Sequence, residues 1–234
     1  MSVVSQTEPA KRLRGTRHAS QMPRVALSLR DKAYTEIKQR IITCELRPGE
    51  VLSEAAISEA IGIGRTPVHQ ALDRLIPEGL IDVMPRKGVI VRPLSLDEVL
   101  DIIEVRLINE IHCARLAAKN STPQDVEELQ RNLKRFALAA KRREIAELMR
   151  LDREFHNILS RASHNVVLAD LLRNLHDRSL RFWFVSLRAP DHHQRVLEQH
   201  TDIATAIRLG RPEDAEGAMR SHIDAFRTNV TSQI

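Results

Sequence analysis

The chain has 234 residues, of which 42% are hydrophobic and only 3% aromatic, with a formal net charge of +5. That length holds two ordinary domains with packed cores, and the few aromatics and eight glycines point to helix rather than an all-β fold. No apolar run approaches the ~20 residues that cross a bilayer, so no membrane-spanning segment is expected.

The amino-terminal stretch MSVVSQTEPAKRLRG has no apolar core, so no secretion signal is expected. The two cysteines, Cys44 and Cys113, are far apart and lack CxxC spacing. A cytoplasmic protein with two free thiols is the simplest expectation. The charge is unevenly placed. Residues 1–30 carry six Lys and Arg against Glu8, whereas residues 31–95 carry nine of each sign. The whole excess lies within residues 1–30, most of it in a polar, aperiodic arm over residues 1–26, read as disordered and available for non-specific phosphate contact.

Residues 27–94 read as one small domain. A helix is expected from Leu29 to Thr43, with Ala33, Ile37, Ile41 and Ile42 as its buried stripe. Leu46-Arg47-Pro48-Gly49-Glu50 is a turn. A second helix runs from about Ser53, its cap, to Ile61, and Gly62-Ile63-Gly64 breaks it with the positive φ that a tight turn requires. Thr66 is expected to cap a third helix with Pro67 at its first position. Val68, Ala71, Leu72 and Leu75 face inward, while His69, Gln70, Asp73 and Arg74 face out. Gly79 ends it. Leu80 to Met84 and Val89 to Val91 read as two strands around Pro85-Arg86-Lys87-Gly88. The whole is a winged helix-turn-helix, whose second helix suits the major groove of double-stranded DNA. Arg65 opens that helix, and no acid occurs from Ile61 until Asp73. Taken singly, each feature fits a solvated helical hairpin followed by a β-turn. The ordered set favours DNA binding. Arg65, Thr66, His69 and Gln70 are the expected base-edge contacts. Arg47, Arg86, Lys87 and Gly88 are expected on backbone or groove walls.

This stretch resembles the GntR family of bacterial transcription regulators. The matching residues are Leu46-Arg47-Pro48-Gly49, Leu52-Ser53-Glu54, Arg65-Thr66-Pro67-Val68, Ala71-Leu72-x2-Leu75, Glu78-Gly79-Leu80 and Gly88-x2-Val91. Three positions depart from the family pattern. Cys44 stands where glycine is usual, Gly64 replaces serine, and His69 replaces an arginine that the family uses on DNA.

Residues 95–234 read as a second, all-helical domain. Ser95-Leu96-Asp97-Glu98 fits a capping box, opening a helix from Leu96 to Asn120. Further helices are expected at Pro123 to about Ala140, about Glu144 to Ala162, Asn165 to about Leu187, Ala189-Pro190-Asp191 to near Gly210, and Arg211-Pro212-Glu213 to about Val230. Six antiparallel helices with short connections form a bundle. The fold class is therefore mainly α: a winged helix-turn-helix followed by a six-helix bundle.

Asp152 and His156 are four residues apart, so they share one helical face. His200 and His222 lie on later helices that antiparallel packing brings alongside. Three imidazoles and a carboxylate suit Zn²⁺, Ni²⁺, Mn²⁺ or Fe²⁺. On the residues alone, an Asp-x3-His pair on an amphipathic helix is more often a surface or core pair than a metal site. His112, His164, His176, His192 and His193 show no matching partner and are read as non-ligands.

The second domain is similar to the FCD ligand-binding domain of the FadR subfamily of GntR regulators. The resemblance rests on Glu104-Val105-Arg106-x3-Glu110, Ala117-Ala118, Asp152-x2-Phe155-His156, His200 with Ile203, and His222. Its length suits the shorter, six-helix branch. The resemblance implies a divalent metal, zinc first, on Asp152, His156, His200 and His222. It also implies a small organic carboxylate effector held partly by Arg106, and a homodimer on palindromic operator DNA. The function it implies is repression of a catabolic operon, relieved by a metabolite. The other readings are a regulator that responds to the metal itself and a metal-dependent enzyme with a DNA-binding module; the chain is not expected to be an enzyme.

Overall fold

The computed structural model describes residues 27–86, 88–186 and 192–232. Two hydrophobic clusters organise them. The first is built from α1 (Leu29–Ile42), β1 (Val51–Leu52), α2 (Glu54–Ile61), α3 (Arg65–Leu75), β2 (Ile81–Met84) and β3 (Gly88–Val91). Ile37, Ile41, Ile57, Val68, Leu72, Leu75, Leu80 and Val91 fill it. The expected stripes are the buried ones, and His69, Gln70, Asp73 and Arg74 are exposed. Ser53 caps α2 by accepting from the Ala56 amide at 3.1 Å, a contact worth ~1 kcal/mol. Gly62 closes it in the left-handed region at φ 64°.

Three local expectations are corrected. α3 begins at Arg65 after Gly64, with no side-chain cap, so Thr66 is inside the helix. Pro67 is then its third residue, a position whose N–H would still have no intrahelical acceptor. α3 also ends at Leu75, and a turn carries the chain to Gly79 at φ 72°. Third, the wing has an extra strand. β1 pairs antiparallel with β3 in a three-stranded sheet of order β1-β3-β2. Cys44 takes φ 54° just after α1, which explains why glycine suits that position.

The second cluster lies within α4 (Leu96–Asn120), α5 (Pro123–Arg142), α6 (Ile145–Ala162), α7 (Val166–Ser186), α8 (His192–Arg208) and α9 (Pro212–Thr231). These are the six expected helices. The Ala189-Pro190-Asp191 opening expected for the fifth lies outside the described residues. Pro212 stands at the start of α9, and Gly210 just before it at φ 60°. At α4 the capping box is half formed: the Ser95 hydroxyl accepts from the Glu98 amide at 3.5 Å, but the Glu98 carboxylate is taken by Arg178 of α7 at 2.6 Å. The complete capping box is at α5, between Thr122 and Asp125. α4 runs through the bundle against α6, α7, α8 and α9, so its inward face looks onto the middle of the domain.

The two units are joined firmly. Ile42 of α1 belongs to the bundle's core cluster. Asn174 of α7 donates to the Glu78 carbonyl at 3.1 Å, and the buried Arg181 donates to the Arg92 carbonyl at 2.7 Å. Among the described residues no helix is long and apolar enough to cross a membrane. Both cysteines are free thiols.

Candidate metal centre and DNA-reading face

α6 supplies the first donors. Its apolar residues bury one face, and that burial carries Asp152, Phe155 and His156 inward with it. Phe155 is fully buried and stacks flat on His200 of α8, with ring centroids 4.0 Å apart. A plane of apolar carbon thus fixes one imidazole. α9 brings His222. One nitrogen from each of His156, His200 and His222 lies within 4.8 Å of the others, and all three residues are buried. Asp152 Oδ1 lies 3.6 Å from His200 Nε2. The four residues expected as a donor set are thus brought into one place by three helices.

The structure adds a fifth. His176 of α7, read from sequence as a non-ligand, puts its Nε2 3.1 Å from Asp152 Oδ2. Its ring is 4.2 Å from that of His156. Glu110 of α4 lies 3.0 Å from His156 Nδ1, and Glu110, His156 and His176 form a second three-donor convergence that shares His156. Spacing gave no sign of His176, because its partners are on other helices.

The electrostatics favour a cation. His156 Nε2, both ring nitrogens of His200 and Nδ1 of His176 are buried without a hydrogen-bond partner. Orphaned buried nitrogens are costly unless a ligand satisfies them. Burial lowers the His200 pKa to about 3, against the pull of Asp152. Burial likewise lowers that of His222, with His200 and His156 adding to the effect. Both rings are therefore neutral near pH 7 and offer lone pairs. Burial pushes the Asp152 carboxyl up, but His176, His156 and His200 outweigh it and hold it well below the usual carboxylate range. One carboxylate among buried imidazoles is a donor set that suits a divalent first-row ion. The outer contacts fit as well. Glu110 lies on the far nitrogen of His156, and Gln199 lies 3.0 Å from His222 Nδ1. Such partners orient ligating imidazoles. The residues present fit a metal.

Beside the donors is a small cavity of about 50 Å³, lined by Arg106, Asp152, His156, His176, His222 and Phe226 among others. That space corresponds to a few water molecules or a small polar group. Arg106 is buried and paired to Glu110, one helical turn further along α4, so the pair is in the interior. Its Nη1 donates to Ser179 Oγ at 3.2 Å, and its guanidinium lies 5.3 Å from the Phe226 ring centre. Arg195, Gln199 and Asn229 also line the cavity.

On the first unit, Arg47, Arg65, Thr66, His69, Gln70 and Arg86 are all exposed. Lys87 lies outside the described residues. Arg65, Thr66, His69 and Gln70 share the outer side of α3. His69 is held between two acids, with Nδ1 2.7 Å from Glu54 of α2 and Nε2 3.4 Å from Asp73. The Glu54 contact first, then Asp73, raises its pKa. Gly88 has a backbone reason to be glycine. Its φ is 105°, and a Cβ there would lie 2.7 Å from the Leu52 carbonyl oxygen.

Comparison with known proteins agrees with this architecture. The family model of the FCD domain matches residues 101–225, and that described as bacterial regulatory proteins, gntR family, matches residues 29–91. The HTH-type transcriptional repressor RspR of Escherichia coli (strain K12) is 28% identical over 197 residues, which are 84% of this chain and 86% of that protein. The HTH-type transcriptional regulator LutR of Bacillus subtilis (strain 168) is 31% identical over 209 residues, 80% of this chain and 92% of its own. The solved structure of E. coli McbR/YncC superposes with a TM-score of 0.81 at 21% identity, over 89% of this chain and 99% of that one. A winged helix-turn-helix carrying a buried polar cavity in an attached helical bundle defines the class: a DNA-binding transcription regulator. The chain belongs to the GntR family and carries an FCD domain. Its relatives are regulators, not enzymes.

Proposed function

We propose that this regulator is a repressor that binds operator DNA as a homodimer and is released by a small organic carboxylate on a divalent metal ion. The observation that carries this reading is the convergence of buried, unpartnered imidazole nitrogens of His156 and His200, with His222, on an ionised Asp152. Asp152, His156, His200 and His222 would hold the ion, zinc first. The ion would supply a Lewis-acidic anchor for one carboxylate. Arg106 lines the same cavity and presents a planar fork of donors matched to a carboxylate. Its charge is already half satisfied by Glu110, so a ligand would meet a guanidinium fixed in place rather than a free one.

On DNA, Arg65, Thr66, His69 and Gln70 would read base edges from α3 in the major groove, with Arg47, Arg86 and Lys87 on phosphate. Two heads on one palindrome need a dimer. Support for one comes from α4 and α7, neighbours in the bundle that leave Val105, Ile108, Val167 and Leu171 exposed. RspR is a transcriptional repressor, which supports the sign of regulation.

The test has three parts. Metal content of the purified protein is measured, and zinc binding is titrated after chelation. Operator binding is then followed by gel shift against a panel of mono- and dicarboxylates. The Asp152→Ala/His156→Ala variant should bind DNA normally, lose zinc binding, and lose the response to any carboxylate that releases the wild type. A retained response would sink the metal-pocket reading. Release by zinc alone would make the ion the signal.

A further inference from the structure

Two helices of the bundle each use a pair of consecutive residues to look two ways. On α6, Asp152 faces the cavity and Arg153 faces outward. On α7, His176 faces the cavity and Asp177 faces outward. Neighbours on a helix are set roughly 100° apart, so one turn serves two compartments. The inner pair meets at 3.1 Å, Asp152 to His176. The outer pair meets as well, through both nitrogens of a guanidinium fork, Arg153 to Asp177. α6 and α7 are therefore laced twice at the same level, once inside the cavity and once outside it.

The outer lacing is also where the DNA-binding head is seated. Lys38 of α1 is buried at 6% exposure, and its ammonium lies 2.6 Å from Asp177, itself 1% exposed. The same ammonium lies 2.6 Å from Glu78 and donates to the Tyr34 hydroxyl at 3.0 Å. Tyr34 donates to Glu78 at 2.6 Å. Arg74 of α3, the DNA-reading helix, covers the Tyr34 ring at 3.7 Å. Burial works against the charge on Lys38, but Asp177 and its other partners outweigh it. A buried cation of this kind is held by geometry. It tolerates little displacement of the carboxylate that neutralises it.

We infer that Asp177 and Lys38 are positioning residues that report occupancy of the cavity to α3. An ion that takes the Asp152 carboxylate competes with His176 for it. That contact spans α6 and α7, and any adjustment between the two helices moves Asp177, the seat of Lys38. Lys38 is tied through Tyr34 to Arg74 on the reading helix. Coupling of this kind requires a physical element that both sites bias, and the α6–α7 lacing is that element. The inference rests on the metal reading above.

The test uses the full chain, stripped by chelation and then loaded with zinc alone. Zinc affinity is measured by titration, and hydrogen exchange is followed in peptides covering residues 29–42. In the wild type, zinc should change the exchange of this segment several-fold. Lys38→Met leaves Asp177 with Arg153 and Glu78 with Tyr34, so no buried charge is abandoned. This variant should bind zinc as tightly as the wild type while the change over residues 29–42 is lost. Asp177→Asn should behave in the same way, and thermal unfolding verifies that both variants are folded. Zinc uptake without any exchange change over residues 29–42 in the wild type overturns the inference, as does an undiminished change in Lys38→Met. No zinc uptake by the wild type removes the metal reading, and this inference with it.

Discussion

Single residues in this protein act through where their charges are allowed to be. His192 and His200 are buried, and burial lowers their pKa values to about 4 and about 3. In the unfolded chain the same rings take protons near pH 6.5. Between those values the unfolded state binds more protons than the folded one, so stability falls as pH falls through that window. Each ring contributes on the order of 2 kcal/mol of loss by pH 5. Asp152 and Glu110, whose folded values are depressed, add losses of the same sign at lower pH. The melting temperature of the chelator-stripped protein should therefore drop steadily from pH 7 to pH 5. A flat profile would mean that these rings are hydrated in solution.

At the level of elements, the wing makes a sharp prediction. Gly88 sits at φ 105° with the Leu52 carbonyl where a side chain would go. Gly88→Ala should destabilise the head by about 1–3 kcal/mol and weaken operator binding by displacing β3. Thermal unfolding and gel shift check it, and an unchanged protein would refute the close approach. Motif order raises Gly88 only as an expected contact residue; its backbone constraint was not legible, because β1 is two residues long and carries no periodicity. The helices were legible where chemistry punctuates them: Ser53 and Ser95 as caps, Pro123 and Pro212 at starts, Gly62 and Gly210 in left-handed turns. The start of α3 was not. Thr66 has the right hydroxyl for a cap, but the helix begins two residues earlier than that cap requires, because the Gly62–Gly64 turn leads directly into it. Glu98 had the right spacing to complete a capping box, and a guanidinium on α7 took it instead. Asp152 and His156 could be paired by a spacing of four. His176 could not, because its partner Asp152 is on another helix and only packing reveals it.

At the scale of the whole molecule, the reading head carries equal numbers of each charge over residues 31–95. Affinity for DNA then depends on placed cations and, in the dimer proposed above, on two heads acting together. Ile108 is 69% exposed on α4, and Leu171 is exposed on the neighbouring α7. If these residues form the proposed interface, Ile108→Glu should give a monomer in sedimentation, with operator affinity falling accordingly. A variant that remains dimeric would move the interface elsewhere.

The division of labour among the helices has a consequence for descent. α8 and α9 give Gln199, His222 and Asn229 to the cavity. The described polar contacts between head and bundle all involve α7. In the function proposed above, α7 would serve both tasks, lining the cavity through His176 and Ser179 and carrying the contacts to the head, whereas α8 and α9 line the cavity without a described polar contact to the head. If the cavity holds the proposed effector, substitutions along the α8–α9 wall would exchange one effector for another while the helix that contacts the head stays as it is. A lineage built this way would take up a new signal without relearning its operator.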